Sequence, residues 1–151
     1  MNKLYEIIIF TSSVEEYAKP LIELIDNKNY FSYILYREQC TLDNMIYIKD
    51  LKKLGRDLKD IIIVNNTLIF YKLIKENGIH ILSFIDDDNN RELYDLIQIL
   101  DFLSYVDDVR YFIPKFVIGD EISYFSSLDI IRKYKNNNFK NNNQSEFSSF
   151  Y

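Results

Sequence analysis

Cysteine occurs once in the 151 residues, at Cys40. No disulfide can therefore close within the chain, which excludes a disulfide-stapled secreted scaffold and fits a reducing, intracellular compartment; the expectation is nuclear or cytoplasmic, with mitochondrial as the alternative. Proline occurs twice and glycine three times, against 48% apolar residues. That composition excludes a disordered chain and gives one globular domain enough apolar side chains for a core. No apolar run approaches the roughly 18 residues needed to cross a bilayer, and no charged segment followed by an apolar one opens the chain as a leader would. Basic charge is short too: 18 Lys and Arg against 23 Asp and Glu leave a formal charge of -5. Nucleic acid is a poor partner for such a surface. Lys49, Lys52, Lys53, Arg56 and Lys59 do cluster, but Asp50, Asp57 and Asp60 are interleaved with them, the pattern of a solvated helix face. The single histidine, His80, lies in an apolar run and reads as a packed core residue. Ala18 is the only alanine while asparagine is heavily used, so single asparagines carry little information.

Apolar runs of strand length alternate with amphipathic stretches of helix length, which predicts an α/β domain with a largely parallel sheet. Glu6 to Thr11 is the first predicted strand. Ser13 with Glu16 forms a capping-box start for a helix carrying Val14, Tyr17, Ala18, Leu21, Ile22 and Ile25, which Pro20 should kink or shorten. Tyr33–Tyr36 and Met45–Ile48 are predicted as short strands around a polar turn containing Asp43 and Asn44. Ile61–Val64 reads as a strand apolar on both faces, and Gly78–Leu82 as another. Asp86, Asp87 and Asp88 form an acidic turn that suits a helix N-terminus and lacks the glycine and glutamate of a calcium loop. Asn89 as a cap with Glu92 opens a helix whose Leu93, Leu96, Ile97, Leu100 and Leu103 make one apolar stripe. Beyond Pro114, Phe116–Ile118 suggests a strand and Ile122–Ile131 a helix. From Asn136 the Asn- and Ser-rich stretch offers too little apolar surface to fold.

In order and spacing, IIIFTSSVEEYAKPLIELID, YREQC, IYIKDLKKLGRDL, IIIVNNT and the closing VDDV at Val106–Val109 resemble the carboxy-terminal-domain phosphatase family. The family is also called NLI-interacting-factor-like, contains the FCP homology domain, and belongs to the haloacid dehalogenase superfamily. The match runs from Met1 to about Ile113. It implies domain bounds of 1–113 for the phosphatase-like domain, 114–135 for an extension and 136–151 for the tail. The implied fold is haloacid dehalogenase-like, a mostly parallel sheet with helices on both faces. The implied chemistry is phosphoryl transfer from phosphoserine or phosphothreonine to an aspartate in an Asp-x-Asp-x-Thr motif, with magnesium and a second aspartate as acid and base. The 151 residues contain no such motif.

The resemblance places Thr11, with Ser12 beside it, at the end of the first strand, where a hydroxyl binds a phosphate oxygen; an ordinary helix-entry threonine is the bland alternative. Lys49 matches the lysine that neutralises the phosphoryl group, against a solvated lysine on a basic helix. Arg37 matches an arginine beside the phosphopeptide groove, although an Arg37–Glu38 surface pair would look the same. Asn65 and Asn66 stand where the family carries an acidic residue and then asparagine, and Thr67 and Leu68 replace the Ser-Pro that follows. Magnesium prefers carboxylate oxygens, so asparagine at 65 weakens a metal site and removes a partner for Lys49. Cys40 has no neighbouring histidine in sequence to activate it as a nucleophile.

The resemblance also implies that a central strand, the one bearing the nucleophile, lies between the strand ending at Thr11 and the one ending at Val64. Without it two apolar strands present open edges. The expectation is that the strand comes from sequence before Met1 or from a partner chain. The leading functional expectation is a phosphatase-like domain that cannot turn over substrate as it stands and binds a phosphoserine or phosphothreonine protein. The alternatives are the distal part of an active magnesium-dependent protein serine/threonine phosphatase, and a scaffold resembling the presequence-binding receptor subunit of the mitochondrial inner-membrane translocase.

Overall fold

The computed structural model describes residues 1, 3–83, 91–116, 129–134 and 136. β1 (Ile8–Phe10) passes through α1 (Glu15–Ile25) to β2 (Tyr33–Leu35), and the two strands pair in parallel with Ile8 opposite Tyr33 and Phe10 opposite Leu35. Bonds from Ser32 N to Ile7 O and from Thr11 N to Leu35 O, each 2.8 Å, close the ladder at its two ends. The predicted capping box of α1 is not formed. Val14 occupies the cap position without a side-chain bond, because the Ser13 N–H donates to Thr11 Oγ1 and its carbonyl accepts from the Arg37 N–H. The helix is not shortened at Pro20 but runs through it to Ile25.

β3 (Thr41–Asp43) and β4 (Ile46–Ile48) form an antiparallel hairpin. Asn44 and Met45 turn it with φ of 48° and 65°, the left-handed pair that lets a two-residue loop match the strands' twist. The partner of β4 is thus Thr41–Asp43, while Tyr33–Leu35 belongs to β1. The basic stretch that follows is two 3-10 turns, Leu51–Leu54 and Leu58–Asp60, rather than a helix face. Asp50 and Asp57 each cap one turn by accepting from the N–H two residues on, and Gly55, at φ 66°, ends the first. These local bonds compete with continued α-helix.

β5 (Ile63–Asn65) pairs in parallel with β6 (Gly78–His80) across the 3-10 segment Leu68–Asn77. α2 (Glu92–Leu103) follows, and residues 129–134 are helical. In place of one largely parallel sheet there are three two-stranded sheets, two parallel and one antiparallel, among the described residues. Mixed helices and small sheets of this kind agree with an α/β phosphatase domain. The expected Asp86–Asp88 turn, the Asn89 cap, most of the Phe116–Ile118 strand and all but one residue of the tail lie outside the described residues.

Two apolar clusters sandwich the β5 segment. Ile61 and Ile63 pack with Leu51, Tyr71 and Ile74, and Phe10, Leu54 and Leu58 join them. Ile62 and Val64 pack on the other side, with Ile79, Leu96, Ile99, Phe102 and Val109. That is the period-two burial of a strand covered on both faces. The α2 stripe is rotated from the predicted one: Leu96, Ile99, Phe102 and Leu103 are buried, whereas Leu93 and Ile97 are exposed. Glu92 faces inward at the start of the helix, its carboxylate accepting from Leu82 N at 2.5 Å. On the β1 side the same layers continue. Phe10 meets the Leu51–Ile74 cluster, and the Tyr5 hydroxyl donates to Leu100 O of α2 at 2.6 Å.

Candidate functional site

The carboxyl end of β1 delivers Thr11 and Ser12 into a turn held by its own side chains. Thr11 Oγ1 accepts from Ser13 N at 3.1 Å, and Arg37 Nε donates to Ser12 O at 2.7 Å. Arg37 N donates to Ser13 O at 3.0 Å, so one residue grips the turn from both its backbone and its guanidinium. The guanidinium also lies 5.0 Å from the centre of the Tyr47 ring. Arg37 is therefore committed to the β1 turn and to Tyr47 rather than to a pair with Glu38.

Cys40, which sequence reasoning set aside, links this turn to Lys49. Its thiol contacts the carbonyl oxygens of Thr11 at 3.7 Å and Tyr36 at 3.8 Å. Burial pushes its pKa up while the positive charges of Lys49 and Arg37 pull the other way, so the thiol is held protonated. The signal was its place in YREQC, two residues beyond Glu38 and in the same turn as Arg37.

Lys49 follows β4 and is fixed by its backbone, whose N–H donates to Phe70 O at 2.7 Å, with Nζ 5.6 Å from the centre of the Phe70 ring. It is half-buried, not a solvated residue of a helix face. Burial lowers its pKa, and the one charge among the described residues that would act against this is a Cys40 thiolate. Among the described residues no carboxylate pairs with Nζ. A half-buried cation in that position stabilises an incoming anion more than a solvent-exposed lysine can, because less water screens it.

At the end of β5, Asn65 is buried at 7% exposure. Its Oδ1 accepts from Thr67 N at 3.4 Å, and its Nδ2 has no partner. Asn66 is fully engaged: Nδ2 donates to Ser83 Oγ at 2.8 Å, Oδ1 accepts from Thr67 Oγ1 at 3.3 Å, and its carbonyl lies 3.0 Å from His80 Nε2. His80 is consequently half-buried and tied to this loop rather than sealed in the core. Hydrogen bonds join Thr11, Ser12 and Arg37, and Cys40 senses the charges of both Arg37 and Lys49, whereas no hydrogen bond among the described residues joins Asn65 or Asn66 to them.

These residues do not fit a magnesium ion by themselves. Both asparagine oxygens already accept hydrogen bonds, and no group of three or more acidic, histidine or cysteine side chains gathers among the described residues. Magnesium sites ordinarily take one or two carboxylates.

Between β1 and β5 lies a cleft of about 610 Å³. Ile7, Ile8 and Phe10 line one side, Ile61–Val64 the other, with Lys49 also in its wall. No helix among the described residues is long and apolar enough to cross a membrane.

The family model for "NLI interacting factor-like phosphatase" matches residues 1–110. The chain belongs to this family. It is 42% identical over 110 residues to "CTD small phosphatase-like protein 2" of Dictyostelium discoideum, covering 73% of this chain and 19% of that protein. It is 45% identical over 106 residues to the "Probable C-terminal domain small phosphatase" of the same organism, covering 70% and 35%. It is 38% identical over 109 residues to the human "Carboxy-terminal domain RNA polymerase II polypeptide A small phosphatase 1", covering 72% and 42%. The chain thus spans from about a fifth to about two fifths of these relatives' lengths. These relatives carry phosphatase names, and Thr11, Arg37 and Lys49 lie within the matched residues.

Proposed function

We propose that this chain, as it stands, binds the phosphoryl group of a phosphoserine or phosphothreonine protein without hydrolysing it. The observation that carries the reading is Lys49, half-buried and without a carboxylate partner among the described residues, in one neighbourhood with the Thr11–Ser13 turn that Arg37 braces. Lys49 supplies the charge, and the hydroxyls of Thr11 and Ser12 and the turn's backbone supply hydrogen bonds to the phosphate oxygens. Turnover requires a nucleophile and a way of neutralising charge that builds on the transferred group. The sequence holds no Asp-x-Asp-x-Thr, and Asn65 offers an amide where a carboxylate would hold magnesium. The test is a titration with a fluorescent phosphoserine peptide and its unphosphorylated twin. The expected result is binding of the phosphorylated form alone, weakened about tenfold in Lys49→Ala, the scale of one charge-assisted hydrogen bond. Equal binding of both peptides contradicts the reading.

A second reading, the distal part of an active magnesium-dependent serine/threonine phosphatase, is favoured by the cleft, which lies between the strands leading to Thr11 and Asn65. Hydrolysis by a longer chain that includes these residues, abolished by Lys49→Ala, would select it. The translocase-receptor reading draws on no observation in the structure.

A further inference from the structure

Asn65 carries an amide donor with nothing among the described residues to receive it. Its side chain is buried, and Nδ2 has no hydrogen-bond partner there. The other end of the amide fixes its orientation, because Oδ1 accepts from Thr67 N at 3.4 Å and an NH2 group could not. A buried donor left unmet weakens the fold, and a purely structural side chain has no reason to carry one. Strand alternation sets the side on which the amide stands. Ile63, two residues earlier on β5, packs with Leu51, Tyr71 and Ile74, so Asn65 shares that face of the strand. Lys49, two residues before Leu51, belongs to the same layer. Its N–H donates to Phe70 O at 2.7 Å, Phe70 N donates to Thr67 O at 3.3 Å, and Thr67 N closes the series on Asn65 Oδ1. Three consecutive hydrogen bonds therefore run through one short loop from the Lys49 backbone to the Asn65 amide. The Lys49 ammonium lies against the Phe70 ring of that loop, and Lys49 lines the same cleft as Ile63 and Val64. The layer thus holds a cation and a neutral donor, with no carboxylate paired to the cation among the described residues.

We propose that Asn65 Nδ2 and Lys49 Nζ are the paired donors of a magnesium-independent anion site, which holds the phosphoryl dianion of phosphoserine or phosphothreonine. The inference rests on the phosphate-binding reading above and adds to it the ligand at position 65 and the lack of a metal requirement. A carboxylate at 65 would repel a phosphoryl oxygen unless a cation stood between them. The carboxamide needs no such cation: its N–H suits the anion directly, and its oxygen is turned to Thr67 N rather than offered to a metal.

The experiment uses the full 151-residue chain, isotope-labelled for NMR, with a phosphoserine peptide and its unphosphorylated twin, in EDTA and in excess magnesium. Phosphopeptide affinity is expected to be the same in both, and one Asn65 side-chain N–H proton to move downfield as the phosphopeptide saturates the chain in EDTA. Asn65→Asp, which keeps the acceptor for Thr67 N and removes the donor, should bind the phosphopeptide about tenfold more weakly in EDTA. Affinity that requires magnesium, an Asn65 amide signal unmoved at saturation, or undiminished binding by Asn65→Asp would each overturn the proposal. If Lys49→Ala still weakens phosphopeptide binding in that case, the phosphate-binding reading stands without it. Equal binding of the two peptides overturns both.

Discussion

At the level of single residues, charge and burial decide what the site can do. Because Lys49 titrates below the ordinary lysine range, the unfolded chain holds that proton more tightly than the folded one. Its charge therefore opposes folding at neutral pH, and the penalty fades as pH rises toward the unfolded value. A bound phosphoryl group reverses the balance by favouring the charged form. Phosphopeptide affinity should accordingly fall at a pH below the ordinary lysine value of 10.5; affinity that stays flat up to that pH would show Nζ to be uninvolved. Cys40 is the built-in reporter. Its raised pKa predicts slow alkylation by iodoacetamide at pH 8, slower still in Lys49→Ala, which removes the charge that favours the thiolate. Alkylation faster than that of an unfolded control would contradict the burial of the thiol. Cys40 was the residue hardest to recognise in advance, since its importance here comes from Thr11, 29 positions before it, and Lys49, nine after it, and not from an adjacent motif.

At the level of elements, close packing explains what local signals missed. Gly78 begins β6 directly under the Tyr71 ring, and a Cβ there would lie 1.9 Å from Cε2. Gly78→Ala should cost about 1–3 kcal/mol through overpacking, read as a lower denaturation midpoint. An unchanged midpoint would mean the ring moves freely. Pro20 points the other way. It sits inside α1, where it supplies no N–H for the preceding turn, so Pro20→Ala should stabilise the protein by about 1 kcal/mol or more; a loss of stability would show that the proline's fixed φ matters more. Strands β1, β2, β5 and β6 and both long helices were legible because their apolar periodicity is strong. The β3 strand was not, since Thr41–Asp43 has only Leu42 as an apolar residue and owes its place to the Asn44–Met45 turn. The basic stretch was misread as a helix because alternating charge looks the same on 3-10 turns. What separates them is the pair of aspartate caps and Gly55. The α2 stripe was misplaced because Glu92, a residue expected on the surface, turns inward to hold the Leu82 N–H.

For the whole molecule, the division into three small sheets governs behaviour. Open edges on β1 and β5 and the exposed apolar row Tyr17, Leu21, Leu24 and Ile25 along α1 predict concentration-dependent association of the isolated chain. Light scattering that reports a monomer at every concentration, with cooperative unfolding, would contradict this. The candidate phosphate-binding residues come as a set from family spacing alone, whereas the cleft became visible only once the strands were placed in space. The central claim is that the Thr11–Arg37–Lys49 neighbourhood holds a phosphoryl group that this chain does not cleave. The most direct measurement follows the phosphorus NMR signal of a phosphoserine peptide with stoichiometric protein and magnesium. The account predicts a shifted or broadened peptide signal and no inorganic phosphate over hours. Inorganic phosphate that appears with the unaltered chain and not with Lys49→Ala would contradict it.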